Sequence, residues 1–466
     1  MITFYFDKTK QIPLYEQLYN YLKNAIEKNE LKANEKLPSK RKLSKHLKIS
    51  QTTVETAYMQ LLAEGYIKSI PRVGYFVLAN LNFPKKRKSK NNSKIINTQK
   101  PKYRYDFKTN RVDAKSFPYQ KFAKIERDII LDRLDKTINE IDFFGLYSLR
   151  EKIADILFAY RGIEALPEQI VIGSGSEHLI SLLVLLLGRD NFFLTEDPTY
   201  KKNYLLYQEY GAKVSSCNLD EFGISIKGLK RSNANIVHIT PSHQFPSGII
   251  TPISRRIELL NWARKLSDRF IIEDDYDSEF RFSGNPIPAL KVLDEYDKVI
   301  YMNSFSKSIS PSFRVSFMVL PNKLVKRYRE SFAYFSCSVP IITQLSLEEF
   351  IASNEFEKHL NRMKNIYKTK RDKLISELEE TFSDKIEILG SDSGLHFLVK
   401  IKTNLLEKEL IDLAKSQGIR VYGLNEFFIN KQFVNEESIL VFGYSHLQLS
   451  DFEPAIKLLK QAWKKI

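Results

Sequence analysis

Between residues 81 and 105 the chain carries nine basic side chains and no acidic one. The stretch includes Lys85-Lys86-Arg87-Lys88-Ser89-Lys90-Asn91-Asn92-Ser93, which has almost nothing apolar to bury. Like charges at this density repel, and without apolar area nothing offsets the entropy of ordering the backbone. Residues 81–105 are therefore expected to be a solvated, flexible linker, so that folding happens on either side of it. A disordered basic arm also gains by releasing counterions, so the same segment can track phosphates. The linker divides the chain into a head, residues 1–80, and a body, residues 106–466. Of the net charge of +16, the head holds +6, the linker +9 and the body only +1. A basic head on a nearly neutral body points to a polyanion partner for the head.

With 43% apolar and 27% charged residues the chain is ordinary globular protein, which excludes global disorder. Cys217 and Cys337 are far apart and no CxxC or His/Cys pattern surrounds them, so two free, buried thiols are expected and no metal site. The first residues lack the layout of a secretory signal. The longest aliphatic run, residues 179–187, is too short to span a bilayer. A soluble, cytoplasmic protein with no membrane partner is expected.

In the head, Leu14, Leu18, Leu22 and Ile26 recur every fourth residue, one apolar helix face starting near Pro13. Ser39 is placed to cap a second helix with Leu43 and Leu47 inward. After a short break at residues 48–50 a third helix runs from Gln51 to Glu64, burying Val54, Ala57, Tyr58, Leu61 and Leu62 and ending at Gly65. Two short helices joined by so tight a turn form a helix-turn-helix. Gln51, Thr52, Thr53 and Thr56 open the helix that enters the major groove in this motif, and Lys40, Arg41, Lys42 and Lys45 precede it, placed for phosphates. Residues 66–70 and 73–77 flank Pro71-Arg72 as a hairpin wing, with Arg72 and Gly74 at its tip. Residues 38–77 resemble the winged helix-turn-helix of GntR-type bacterial regulators, through Pro38-Ser39, Arg41, Leu43, Ile49-Ser50, Thr53-Val54, Ala57-Tyr58, Leu61, Glu64-Gly65-Tyr66 and Gly74. The resemblance implies a double-stranded DNA operator as partner. Gln51 stands where that family usually has arginine, which shifts base preference toward an adenine edge.

The body alternates apolar strand-like runs, such as residues 169–172, 191–194, 269–272 and 298–303, with amphipathic helices. That alternation argues for an α/β domain with a largely parallel sheet. In Tyr301-Met302-Asn303-Ser304-Phe305-Ser306-Lys307-Ser308 a strand ends on a lysine among small hydroxyl residues. Upstream, a strand ends in Glu273-Asp274-Asp275-Tyr276-Asp277, at the sheet edge where open α/β folds bind ligands. Asp274 suits the ring nitrogen of pyridoxal phosphate, and Tyr276 its phenolate oxygen. Gly173-Ser174-Gly175-Ser176-Glu177 is a small-residue turn opening a helix, whose N–H groups at Ser176 and Glu177 suit a phosphate. Arg314 and Ser306 add donors, and Tyr200 a ring to stack on the cofactor.

These pieces occur in the order and spacing of fold-type-I aminotransferases, from residue 145 to about 444. Head, linker and body together resemble the MocR family of transcriptional regulators. The resemblance implies an α/β chain: a winged helix-turn-helix plus a large PLP-dependent transferase domain with a smaller C-terminal α+β subdomain. It implies pyridoxal 5'-phosphate as cofactor, bound as an aldimine on Lys307 with Asp274, Tyr276, Tyr200, Ser176, Glu177, Ser306 and Arg314 around it. It also implies a homodimer with heads exchanged head-to-tail. Two arginines that fork onto an amino acid's carboxylate in the GABA-responsive (GabR-like) members are replaced here by Lys202 and His446. With His243, these two make up the expected effector pocket. Phe245 stands where aminotransferases carry an asparagine.

Three readings stay open. The favoured one is a regulator that senses pyridoxal phosphate itself to control vitamin B6 metabolism (PdxR-like). The second is a GabR-like regulator sensing an amino compound, and the third a true aminotransferase, disfavoured because the carboxylate arginine is missing. Replacing Lys85, Lys86, Arg87 and Lys88 by Gln is expected to flatten the salt dependence of DNA binding, by ~0.9 in log–log slope for each phosphate no longer neutralised, with operator preference intact. Affinity titrations at several salt concentrations measure this, and an unchanged slope would make the linker a mere spacer.

Overall fold

The computed structural model describes residues 4–7, 12–78, 103–137, 142–283, 287–434 and 436–464. Residues 81–102 of the expected linker lie outside these. The chain separates into two compact units, Met1–Gln99 and Lys100–Ile466.

The first unit holds three helices, Leu14–Glu27, Lys40–Leu47 and Gln51–Ala63, and an antiparallel hairpin of Ile67–Ile70 with Gly74–Val77. Leu18, Leu22 and Ile26 pack with Leu43, Val54, Ala57, Tyr58 and Leu61 in one core; Leu47 and Leu62 are half-buried at its margin. Ser39 Oγ accepts from the Lys42 N–H and Ser50 Oγ from the Thr53 N–H, so each short helix has its cap. Between them Lys48 adopts a left-handed conformation (φ 54°), which makes the turn tight. Tyr58 donates to the Pro38 carbonyl (2.9 Å) and Tyr19 to Glu64 (2.6 Å), fixing the angles between the three helices.

The second unit is built on an eight-stranded sheet. Its order is Ile170–Gly173, Ser316–Val319, Val299–Ser304, Phe270–Asp274, Ile236–Ile239, Phe192–Asp197, Lys213–Asp220 and Gly223–Ile224. The five strands from Val299–Ser304 to Lys213–Asp220 are parallel neighbours. Ser316–Val319 and Gly223–Ile224 run antiparallel to their neighbours. The central strands are buried on both faces, which explains their unbroken apolar runs. The 28-residue helix Glu355–Phe382 leads to an antiparallel sheet of Ile386–Leu389, His396–Ile401, Ile439–Gly443 and Tyr422–Gly423. The mixed α/β architecture with a smaller C-terminal α+β part is as expected from the sequence.

The end of the expected linker is ordered. Tyr105 is buried, and Tyr105–Asp106 pairs in parallel with Ile419–Arg420. A few residues on, Asp113 meets Lys370 of the long helix at 2.8 Å, both side chains nearly fully buried, and Lys370 also donates to the Ser445 carbonyl. Both cysteines are free, but Cys337 is only half-buried, unlike Cys217. No described helix is long and apolar enough to cross a membrane. Lys370→Met is expected to destabilise the second unit by about 3–5 kcal/mol, because Asp113 is left as an unpaired buried charge. A drop in the thermal midpoint of that unit's unfolding transition measures this.

Candidate functional site

The carboxyl ends of the parallel strands border a cavity of about 270 Å³. All eight side chains expected to hold a cofactor line it: Lys307, Asp274, Tyr276, Tyr200, Ser176, Glu177, Ser306 and Arg314. Lys202 lines it too.

Lys307 sits in the short helix Phe305–Ser308, directly after the strand Val299–Ser304. Its Nζ donates to the Thr109 carbonyl (2.9 Å) and to Asn110 Oδ1 (3.0 Å). Burial pushes the amine down to about 8, with Asp277 opposing the shift. A lysine so placed has a substantial neutral, nucleophilic fraction near neutral pH. Across the cavity, Asp274 ends the strand Phe270–Asp274, with its Oδ2 3.4 Å from His238 Nε2 and 3.5 Å from Asn203 Nδ2. His238 Nδ1 lies 2.8 Å from the Tyr207 hydroxyl. A carboxylate only accepts, so the His238 proton belongs on Nε2 and Tyr207 donates to Nδ1.

The helix Ser176–Leu187 points its first turn at the cavity. Gly175, at φ 97°, lets Arg314 lie against the turn; a Cβ there would stand 2.2 Å from Arg314 Nη2. Arg314 also donates to the Ser174 carbonyl (3.0 Å). Its guanidinium and the Lys202 ammonium both contact the Glu177 carboxylate. Burial raises the Glu177 carboxyl, but Lys202 and Arg314 outweigh it and hold it below the ordinary range. Glu177 was expected only as a backbone donor, and Arg314 as free for a phosphate; each is engaged with the other. Tyr200 stands at the mouth, its ring edge-on to Phe245 at 5.7 Å.

Two members of the expected effector pocket stand elsewhere. His243 is buried behind Tyr276, with Nδ1 3.0 Å from the Tyr276 hydroxyl and 3.0 Å from Asp277 Oδ2. His446 does not line the cavity, and burial pushes it down to about 4, with Arg111 adding to the shift. It is therefore neutral at physiological pH and no cationic partner for a carboxylate. Asn110, His238, Asn203 and the buried Glu196, which burial raises to about 7, were not anticipated. His238 alone had a visible signal, a histidine within the otherwise apolar strand Ile236–Ile239.

In the head, Gln51, Thr52 and Arg41 are exposed, as is Arg72 at the wing tip with φ 62°. Gly74 adopts φ 131°, a conformation open to glycine. Ser39 spends its hydroxyl on the helix cap. Two expected contact residues are otherwise engaged. Lys40 pairs with Glu55 of the following helix, and Thr53 is half-buried with its hydroxyl 2.7 Å from Ser50 Oγ.

The sequence pattern described as "Aminotransferase class I and II" matches residues 108–439, and that of "Bacterial regulatory proteins, gntR family" matches residues 14–77. The chain is 37% identical over 99% of both lengths to the HTH-type transcriptional regulator YdeL of Bacillus subtilis. It is 28% identical to the probable rhizopine catabolism regulatory protein MocR of Rhizobium meliloti, covering 98% of this chain and 95% of that one. To the HTH-type pyridoxine biosynthesis transcriptional regulator PdxR of Corynebacterium glutamicum it is 27% identical over 88% of both. The solved kynurenine aminotransferase of Pyrococcus horikoshii superposes with a TM-score of 0.69 at 23% identity, over 78% of this chain and 92% of that one.

Labelling of Lys307 by an amine-reactive reagent is expected to rise with pH to a midpoint of about 8, whereas exposed lysines follow their ordinary ~10.4. Peptide mapping of the labelled protein across pH checks it.

Proposed function

Because the chain belongs to the MocR family of transcriptional regulators, a GntR-type DNA-binding head joined to an aminotransferase class I and II body, we propose that the body carries pyridoxal phosphate on Lys307 and reads the cofactor itself as its signal. The residues present fit that group. The N–H groups of Ser176 and Glu177 have no hydrogen-bond acceptor among the described residues, and they open the helix beside Arg314 and Ser306. Gly175, lacking a Cβ, lets the Arg314 guanidinium lie beside them. Asp274 would face the ring nitrogen, Tyr276 the phenolate oxygen and Tyr200 the ring. The cofactor, when bound, supplies an aldehyde for the Lys307 amine and an electron-accepting ring.

One observation carries the choice of signal: apart from Lys307, which the cofactor would occupy, each Lys or Arg side chain lining the cavity is paired with Glu177. Arg314 and Lys202 are committed to Glu177, and His446 is neutral and outside. The name of the PdxR relative, a regulator of pyridoxine biosynthesis, supports the same reading. We therefore read the body as a sensor rather than an enzyme, working as a homodimer. A second reading, an amino compound as effector, is favoured by Lys202 alone, which lines the cavity and is half-exposed.

A signal must discriminate between two states of the protein. Saturating pyridoxal phosphate is expected to change operator affinity about tenfold or more, within the usual range of allosteric coupling. Borohydride reduction should fix the cofactor on Lys307 alone. Equal affinity and stoichiometry with and without cofactor would overturn the reading. So would steady amino-donor turnover that disappears in Lys307→Ala.

A further inference from the structure

Behind the cavity wall lies a buried cluster to which the reading above gives no role. His243, Asp277 and His396 are each 2% exposed, and one ring nitrogen of each histidine and one oxygen of Asp277 lie within 4.8 Å of one another. His396 is accounted for by the backbone: its Nε2 donates to the Pro246 carbonyl at 3.1 Å. His243 is different. A single ring atom, Nδ1, lies 3.1 and 3.0 Å from the two oxygens of Asp277 and 3.0 Å from the Tyr276 hydroxyl.

The hydrogen count of this contact fixes a direction. An ionised carboxylate only accepts, so the proton belongs on Nδ1. The same N–H then faces the Tyr276 oxygen, which takes it as a second acceptor. Nδ1 has no lone pair left for Tyr276 to donate into. The Tyr276 proton must point elsewhere, and the other side of that hydroxyl is the cavity, which Tyr276 lines. Burial, with Asp277 adding to it, keeps the phenol protonated far above its ordinary range. The neighbouring Phe245 ring, 6.0 Å away, offers no donor of its own.

We propose that Asp277 and His243 form a positioning pair that holds the Tyr276 hydroxyl as a donor aimed into the cavity, toward the phenolate oxygen of bound pyridoxal phosphate. This rests on the reading that the cavity holds that cofactor. The packing suits a fixed ring. Gly394, at φ 78°, brings the backbone so close that a Cβ there would stand 2.2 Å from His243 Cε1. His243 Nε2 has no hydrogen-bond partner among the described residues, so the hydrogen bonds of this ring are made at Nδ1.

The test is a pH titration of the visible absorbance of the full-length, cofactor-loaded protein. Donation to the phenolate oxygen stabilises its anion, so losing the donor raises the midpoint. Tyr276→Phe is expected to raise it by about one pH unit, tenfold in proton affinity. His243→Leu should match that shift, and Tyr276→Phe/His243→Leu should add nothing to Tyr276→Phe. His243→Asn, whose amide nitrogen reaches the place of Nδ1, should stay near the parent. If His243→Leu does not fold, His243→Phe, which keeps a ring but has no Nδ1, should raise the midpoint in its place. A parent-like midpoint in His243→Leu or His243→Phe, beside a shifted Tyr276→Phe, overturns the proposal. Failure of the parent protein to take up pyridoxal phosphate overturns the underlying reading instead.

Discussion

Five carboxylates fall within the seven residues from Glu273 to Glu279, at the carboxyl end of a central strand where water is largely excluded. Charges so close and so buried persist only if each finds its own partner. Glu273 takes the N–H groups of Leu290 (2.7 Å) and Lys291 (2.9 Å). Asp274 takes His238, and Asp275 takes Arg161 at 2.8 Å and the Tyr301 hydroxyl at 2.6 Å. Asp277 takes His243, and Glu279, raised to about 7 by burial, accepts from Asn303. The partners come from several different pieces of chain, with Tyr301 and Asn303 sharing the strand Val299–Ser304. Satisfying the cluster therefore fixes the helix Tyr147–Arg161, two neighbouring strands and the loop after Ile239 relative to one another. Only Asp274 and Tyr276 of this run face the cavity.

The reactive amine is tied into the same frame from the other side. Thr109 and Asn110, which accept from Lys307, lie between the strand pair at Tyr105–Asp106 and the buried ion pair of Asp113 with Lys370. The backbone at Lys108–Thr109 also packs on Gly443, where a Cβ would stand 2.5 Å from the Lys108 carbonyl carbon. The first described residues of the body thus reach its most reactive side chain within a few positions. Whatever engages the Lys307 amine competes with hydrogen bonds to this segment.

Local patterns in the sequence carried the elements well, because helix caps and strand ends are local physics. Ser39, Gly65 and the small-residue turn at Gly173–Gly175 stand where caps and turns require them. Most of the eight cavity residues lie at or just beyond a strand end or helix start, where local pattern points to them; Arg314 stands instead in the segment before Ser316–Val319. What stayed hidden depends on pairing across long sequence distances. Nothing local in Asn110 points to Lys307, nor in Lys40 to Glu55. His446 looked like a substitute for a cation, but burial beside Arg111 removes its charge. His243 looked like a pocket residue, but the close approach at Gly394 sets it one layer back.

The charge balance of the phosphate end bears on which ligand the cavity suits. Lys202 and Arg314 share one carboxylate, Glu177, on the first turn of the helix, so the three side chains keep one net positive charge. A monocarboxylate ligand would meet only that one charge, at the cost of immobilising a free molecule. A phosphate differs in two ways. It carries nearly two charges at neutral pH. It would also accept from the free N–H groups of Ser176 and Glu177, which the Glu177 side chain leaves without an acceptor. On the proposed reading, a dianion at the helix N-terminus would gain more from this cup than a monocarboxylate would.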